Sequence, residues 1–172
     1  MTYDILIPVI AAFAITAVLG PIVIPFLRRL KVGQTERKEL ASHLKKNGTP
    51  TMGGIMILAA IVITSLFYVR DYPKIIPILF MTVGFGVIGF LDDYLKVVLR
   101  RSDGLLAWQK MLLQIVLTAV FAYYMVNYSG VSLTMLIPFS GGRYLDAGWL
   151  TIPILFVAVV GTVNGTNFTD GL

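Results

Sequence analysis

The chain has 172 residues, 57% of them hydrophobic and only 13% charged, with a mean hydropathy of +0.83. Soluble domains carry roughly 25% charged residues, so the composition excludes a soluble globular protein and reads as an all-α, polytopic integral membrane protein. The absence of cysteine excludes disulfides, thiolate metal sites and a cysteine nucleophile. The net charge of +5 is no nucleic-acid signal, because the charges lie in loops between apolar runs, and no nucleic-acid partner is expected.

Taken in order, Met1 to Asp4 lacks a basic stretch and the following apolar run is long, so a cleaved signal peptide is not expected. The first span, residues 5–27, would reach about 34 Å as a helix, enough to cross a bilayer. Pro21 and Pro25 remove helical hydrogen bonds and should kink its second half. A basic polar loop, 28–50, ends in Thr49-Pro50, which predicts a helix start with Thr49 as N-cap and Pro50 at the first helical position. The second span is 51–69, and a short turn, 70–74, leads to a third span at 75–91. A polar loop, 92–110, precedes a fourth span at 111–126. Between Asn127 and Gly148, the strand-like run 131–139 and the turn Ser140-Gly141-Gly142 predict a small hairpin outside the membrane. The fifth span, 149–163, is followed by a polar loop, 164–172. Five transmembrane helices in one domain are expected.

Of the 14 Lys and Arg, eleven fall in loops 28–50 and 92–110, and three (Arg70, Lys74 and Arg143) on the opposite side. By the positive-inside rule the N-terminus lies outside, and loops 28–50, 92–110 and 164–172 share the cytoplasmic face.

The uncharged run 75–91 delivers two adjacent carboxylates, Asp92 and Asp93, to its boundary with water. At a helix C-terminus carboxylates are disfavoured by up to about 1 kcal/mol, so capping does not explain them. A cation such as Mg²⁺, held between them and a phosphate, would; the plainer reading is neutralisation by Lys96, at i+4 from Asp92 or i+3 from Asp93. Gly84-Phe85-Gly86-Val87-Ile88-Gly89 fits a dinucleotide fingerprint but lies inside an apolar span, where glycines instead permit close helix packing. The glycine-rich run 48–54 lacks the Gly-Lys-Ser/Thr ending of a P-loop. His43, the one histidine, reads as a solvated loop residue, and the Asn-x-Ser/Thr triplets at Asn127, Asn164 and Asn167 carry no weight. Lys45 and Lys46 suit a diphosphate, though positive-inside topology explains them equally. The plain reading of Lys110 is a side chain snorkelling to the interface. Asn167, Thr169 and Asp170 read as a nucleotide site or merely a polar turn.

Three stretches, in order, resemble the phospho-N-acetylmuramoyl-pentapeptide transferases, a branch of the polyprenyl-phosphate N-acetylhexosamine-1-phosphate transferases. They are Ser42-His43-Leu44-Lys45-Lys46-Asn47-Gly48-Thr49-Pro50-Thr51-Met52-Gly53-Gly54, Leu91-Asp92-Asp93-Tyr94 and Asn164 to Leu172. The first is the most specific; in the third, Gly165 and Phe168 stand where the family usually has Ala and Leu. The resemblance implies a protein of about ten transmembrane helices, of which this chain supplies the N-terminal half. It implies transfer of phospho-MurNAc-pentapeptide from its UDP carrier to undecaprenyl phosphate, giving UMP and lipid I in peptidoglycan synthesis, at a bacterial inner membrane. It further implies an Mg²⁺-dependent enzyme and a homodimer. By the same resemblance, Asp92 and Asp93 are catalytic and metal-binding, one of them deprotonating the lipid phosphate; which one holds the metal is left open, as is a two-step route through a phospho-aspartate. Lys45, Lys46, Thr51 and Lys110 contact substrate, with Asn167 and Asp170 near the nucleotide.

Both substrates are anionic, so attack of phosphate on diphosphate needs a cation for neutralisation and positioning. A polyprenyl chain costs about 0.8 kcal/mol per CH₂ to expose to water, so the chemistry must occur at the membrane. Two rivals remain: a sister transferase using another UDP-N-acetylhexosamine, which shares the Asp pair, and a transporter, which would bury ionisable groups within its spans.

Overall fold

The computed structural model describes residues 2–31, 52–99, 101, 103–130 and 132–170. The chain divides into two units, residues 1–106 and 107–172. Among the described residues, five α-helices and one two-stranded hairpin account for nearly all of the regular structure.

The first unit holds α1 (Thr2–Lys31), α2 (Gly54–Tyr68) and α3 (Ile75–Val97). Helix α1 runs unbroken for 30 residues through Pro8, Pro21 and Pro25. At 1.5 Å per residue it is about 45 Å long, longer than the apolar 5–27 run because helix formation continues into the polar residues at either end. The Thr16 hydroxyl disposes of its proton by donating to the Ala12 carbonyl at 2.8 Å, as hydroxyls in apolar helices do.

Helix α2 packs between α1 and α3, and it begins later than Thr49-Pro50 predicts. Met52 has φ 68, a left-handed conformation outside the helical region, and Gly53 is the N-cap. Thr49 and Pro50 lie outside the described residues. The helix is therefore 15 residues long, about 22 Å against a hydrocarbon core of about 30 Å. The other four helices are each long and apolar enough to cross a membrane. Where α2 meets α3, a Cβ on Gly86 would lie 2.4 Å from Leu58 Cδ1. The dinucleotide-like glycine run is thus a packing device here, with Gly86 admitting the Leu58 side chain.

Leu27, Met52 and Val97 form a buried apolar cluster, flanked by Val23, Ile55 and Val98. These residues come from the end of α1, the start of α2 and the end of α3, so the cluster ties together the end of the unit that carries the Asp pair.

The second unit holds α4 (Ala107–Asn127), β1 (Thr134–Leu136), β2 (Tyr144–Asp146), a 3-10 turn (Gly148–Leu150) and α5 (Thr151–Asp170). The expected hairpin is present, antiparallel, with Met135 opposite Leu145, and positive φ at Phe139, Gly141 and Gly142 turns the chain. The Thr151 hydroxyl donates to the Leu133 carbonyl at 2.9 Å, fastening the hairpin to the start of α5. Helices α4 and α5 pack together around an amide pair. Asn164 Nδ2 donates to Gln114 Oε1 at 2.6 Å and to the Val160 carbonyl at 2.8 Å, while Gln114 Nε2 faces Asn164 Oδ1 at 3.4 Å. Gln114 and Thr118 are fully buried. An unmade amide bond is costly between apolar helices, so the reciprocal pair fixes their register.

Along both units large apolar side chains face outward, Phe13 and Val157 being 75% exposed in mid-helix. With helices of spanning length, such surfaces suit lipid rather than water.

Candidate functional site

Helix α3 does not stop at the two carboxylates. It continues four residues past Asp93 to Val97, so the expected loop start at residue 92 is helical. The continuation is held by an i,i+4 ion pair, Lys96 Nζ to Asp92 Oδ2 at 2.8 Å, and by the rings of Phe90 and Tyr94, 5.8 Å apart. The plain reading of Lys96 as a neutralising partner therefore holds for Asp92.

Asp92 is buried, with 7% of its surface exposed. Its other oxygen, Oδ1, accepts the Leu105 backbone N–H at 2.9 Å. Between these partners sits Gly104, buried and at φ +60, where a Cβ would lie 2.5 Å from Asp92 Oδ1 and 2.6 Å from Lys96 Cε. The stretch after α3 thus folds back on the helix end. Val98 N–H bonds to the Tyr94 carbonyl at 2.9 Å, and Arg101 N–H to the Leu95 carbonyl at 3.0 Å. Asp93 is half-buried on the same turn. Successive helical residues point about 100° apart, so neighbouring carboxylates do not face each other. Asp92 looks toward Gly104 and Leu105; Asp93 occupies the adjacent direction.

Among the described residues no three His, Cys, Asp or Glu side chains converge on one point. Mg²⁺ does not require such a cage, since it usually takes one or two carboxylates together with water and substrate phosphates. The Asp92–Asp93 pair offers carboxylates of that kind, and both oxygens of Asp92 accept from a cation or a backbone donor.

The remaining candidates distribute over both units. Lys45, Lys46 and Thr51 lie outside the described residues. The motif that contains them ends in Met52-Gly53-Gly54, and Met52 packs with Val97, four residues after Asp93. Two of the three sequence motifs are thereby joined in the first unit. In the second unit, Lys110 is half-buried in the first turn of α4, which begins four residues earlier than the predicted span. A cation at a helix N-terminus opposes the dipole, as carboxylates near the C-terminus of α3 do.

Residues 164–170 of the third motif are helical, where a loop was expected over 164–172. Helix α5 runs to Asp170 despite Asn, Gly and Thr, all weak helix formers. Asn164 and Thr169 satisfy themselves on the preceding turn, the Thr169 hydroxyl donating to the Gly165 carbonyl at 2.9 Å. Asn164 is consumed by Gln114, whereas Asn167 is exposed. Asn167 and Asp170 both lie in the last turn of α5.

Sequence reasoning missed Gly104, Leu105 and Gln114. Asp103-Gly104 is a turn signal that marks the first, and Gln114 is a lone amide within an apolar span. No pattern singles out the Leu105 backbone.

Comparison with known proteins bears on these residues directly. The phospho-N-acetylmuramoyl-pentapeptide-transferase signature 1 matches residues 46–58. The chain is 44% identical over 170 residues to a phospho-N-acetylmuramoyl-pentapeptide-transferase of Caldicellulosiruptor bescii, covering 98% of this chain and 52% of that protein. It is 43% identical over 173 residues to the Bacillus subtilis protein of the same name, covering 98% and 53%. For the Clostridioides difficile protein the identity is 45% over 173 residues, covering 100% and 52%. The chain thus spans about half the length of the curated relatives it matches. The model of glycosyl transferase family 4 matches residues 75–172, from the start of α3 through the Asp pair to the third motif, and the chain belongs to that family.

Proposed function

We propose that this chain forms the N-terminal half of a membrane transferase that moves phospho-MurNAc-pentapeptide from its UDP carrier to undecaprenyl phosphate, releasing UMP and forming lipid I. The observation that carries the reading is the coincidence of the signature at 46–58 with a buried Asp92 and adjoining Asp93 at the same end of the first unit. In the reaction, an oxygen of the lipid phosphate attacks the sugar-linked phosphorus of the diphosphate. The bridging P–O bond breaks and its electron pair leaves with UMP.

A phosphate monoester has a second pKa of about 6 and is mostly dianionic at neutral pH. The step therefore calls for charge neutralisation more than for a base. Magnesium, when bound, would supply that neutralisation and align the two phosphates. Asp92 and Asp93 are the pair we assign to hold it. Asp92 keeps Lys96 in place, and the Lys96 side chain, 43% exposed, offers a further cation toward phosphate. Lys45, Lys46, Thr51 and Lys110 are assigned to phosphate and substrate contacts, and Asn167 and Asp170 to the nucleotide.

Eleven of the 14 Lys and Arg fall in segments 28–50 and 92–110, which supports a cytoplasmic placement of these residues and an external N-terminus; the family resemblance supports a bacterial inner-membrane setting. The resemblance adds a homodimer. The test is Mg²⁺-dependent UMP release by the full-length protein given undecaprenyl phosphate with either UDP-MurNAc-pentapeptide or UDP-GlcNAc. Release with the muramoyl substrate alone is expected. Release with only UDP-GlcNAc would move the protein to a sister transferase, and release with neither would refute the transferase reading.

A further inference from the structure

We propose that the connection between α4 and α5, residues 128–149, lies in the lipid–water interface as an apolar anchor, with Phe139 set into the bilayer surface. This segment joins two helices of membrane-spanning length, yet its only charged residues are Arg143 and Asp146. The basic segment 28–50, by contrast, carries nine. A connection that projected into water would need solvated side chains. This one instead exposes Tyr128, Leu136, Phe139, Tyr144, Leu145 and Trp149, each more than half accessible and Phe139 completely so.

Phe139 occupies a left-handed backbone conformation at the hairpin turn, φ 61, which a bulky residue rarely adopts. That geometry directs an aromatic ring outward from a turn where Gly or Asn would sit with less strain. The helix ends beneath are also aromatic: Tyr123, Tyr124 and Tyr128 form a contiguous group at the end of α4, with ring centroids about 6 Å apart. Tyr and Trp gather at membrane interfaces because one end of each ring is apolar and the other polar. The base of the hairpin is tied to α5 through Thr151 and Leu133. Beneath it an open groove, lined by Phe121, Met125, Leu133, Ile152 and Leu155, is almost wholly apolar and continues the surface of α4 and α5. A lipid surface matches this chemistry, with exposed apolar rings and an apolar groove in a segment that carries two charged residues.

These 172 residues contain no cysteine; with any cysteine elsewhere in the full-length protein replaced by serine, one nitroxide at a time is introduced by Phe139→Cys or Tyr144→Cys and the protein is reconstituted in phosphatidylethanolamine–phosphatidylglycerol bilayers. Collision with oxygen, which partitions into acyl chains, is compared with collision with a water-soluble nickel chelate. Val157→Cys, exposed in mid-α5, and Asp71→Cys, exposed in the α2–α3 turn, set the lipid and water limits. The oxygen-to-nickel ratio at both hairpin sites is expected to be several-fold above that at Asp71→Cys and to approach that at Val157→Cys. A ratio equal to that at Asp71→Cys would place the hairpin in water and overturn the proposal. Exclusion of both relaxants from both sites would overturn it too, by showing that protein covers this surface. Two sites are used because loss of the Phe139 ring could itself weaken the anchor, whereas Tyr144→Cys leaves that ring in place.

Discussion

The Leu105 amide donates to Asp92 Oδ1 across 2.9 Å, so one carboxylate of the acidic pair closes the stretch after α3 onto its own helix. Lys96 takes the other oxygen at 2.8 Å. A buried carboxylate thus has a cation on one side and a backbone donor on the other, and its geometry is set before any substrate arrives.

Gly104 is what permits that closure. Its φ of +60 strains any L side chain, and a Cβ would press within 2.5 Å of Asp92 Oδ1. Gly104→Ala is expected to destabilise the protein by more than about 1 kcal/mol. Thermal unfolding in detergent checks this; an unchanged midpoint would show that the linker can relax without cost.

The Gln114–Asn164 pair predicts a coupling. Gln114→Leu or Asn164→Leu alone leaves one buried amide without its partner, a loss of about 1–3 kcal/mol. The double variant should recover part of it, with a coupling of about 0.5–2 kcal/mol as found for such bonds between membrane helices. A double-mutant cycle on unfolding measures it, and strictly additive losses would mean the two amides do not depend on each other.

Thr64 predicts the opposite sign. Its hydroxyl is buried in α2 with no hydrogen-bond partner among the described residues, unlike Thr16, Thr82 and Thr118, which donate to carbonyls four residues back. Thr64→Val keeps the shape and removes the orphan, so the variant should be more stable by about 1 kcal/mol. A lower unfolding midpoint would reveal that the hydroxyl has a role.

The differing legibility of these features has physical causes. Apolar runs of spanning length announce α1, α3, α4 and α5, and the strand–Gly-Gly–strand pattern announces the hairpin, because hydropathy and turn chemistry are local. The ends of the helices were less legible. Polar residues after Leu91 and Val163 read as loops, yet Lys96 pairing with Asp92 and the back-bonding of Asn164 and Thr169 carry α3 and α5 onward. Met52 moved the start of α2 because its left-handed φ is stabilised by burial with Leu27 and Val97, a tertiary contact. In the site, the identity of the Asp pair was plain from the chain, but the different surroundings of Asp92 and Asp93 were not. They depend on Gly104 and Leu105, a dozen residues away, folding back.

The central claim is that the Asp92–Asp93 pair is the acidic centre of a phosphoryl-transfer site, with Asp92 also fixing Lys96 and the adjoining linker. It is tested most directly by UMP release from the full-length Asp93→Asn variant, given undecaprenyl phosphate and UDP-MurNAc-pentapeptide across a Mg²⁺ titration. The substitution removes one charge and keeps the shape. A rate lower by roughly 100-fold or more, in a protein with an unchanged unfolding midpoint, is predicted, since preorganised charge is the main catalytic device here. Full activity with an unaltered Mg²⁺ dependence would contradict the account.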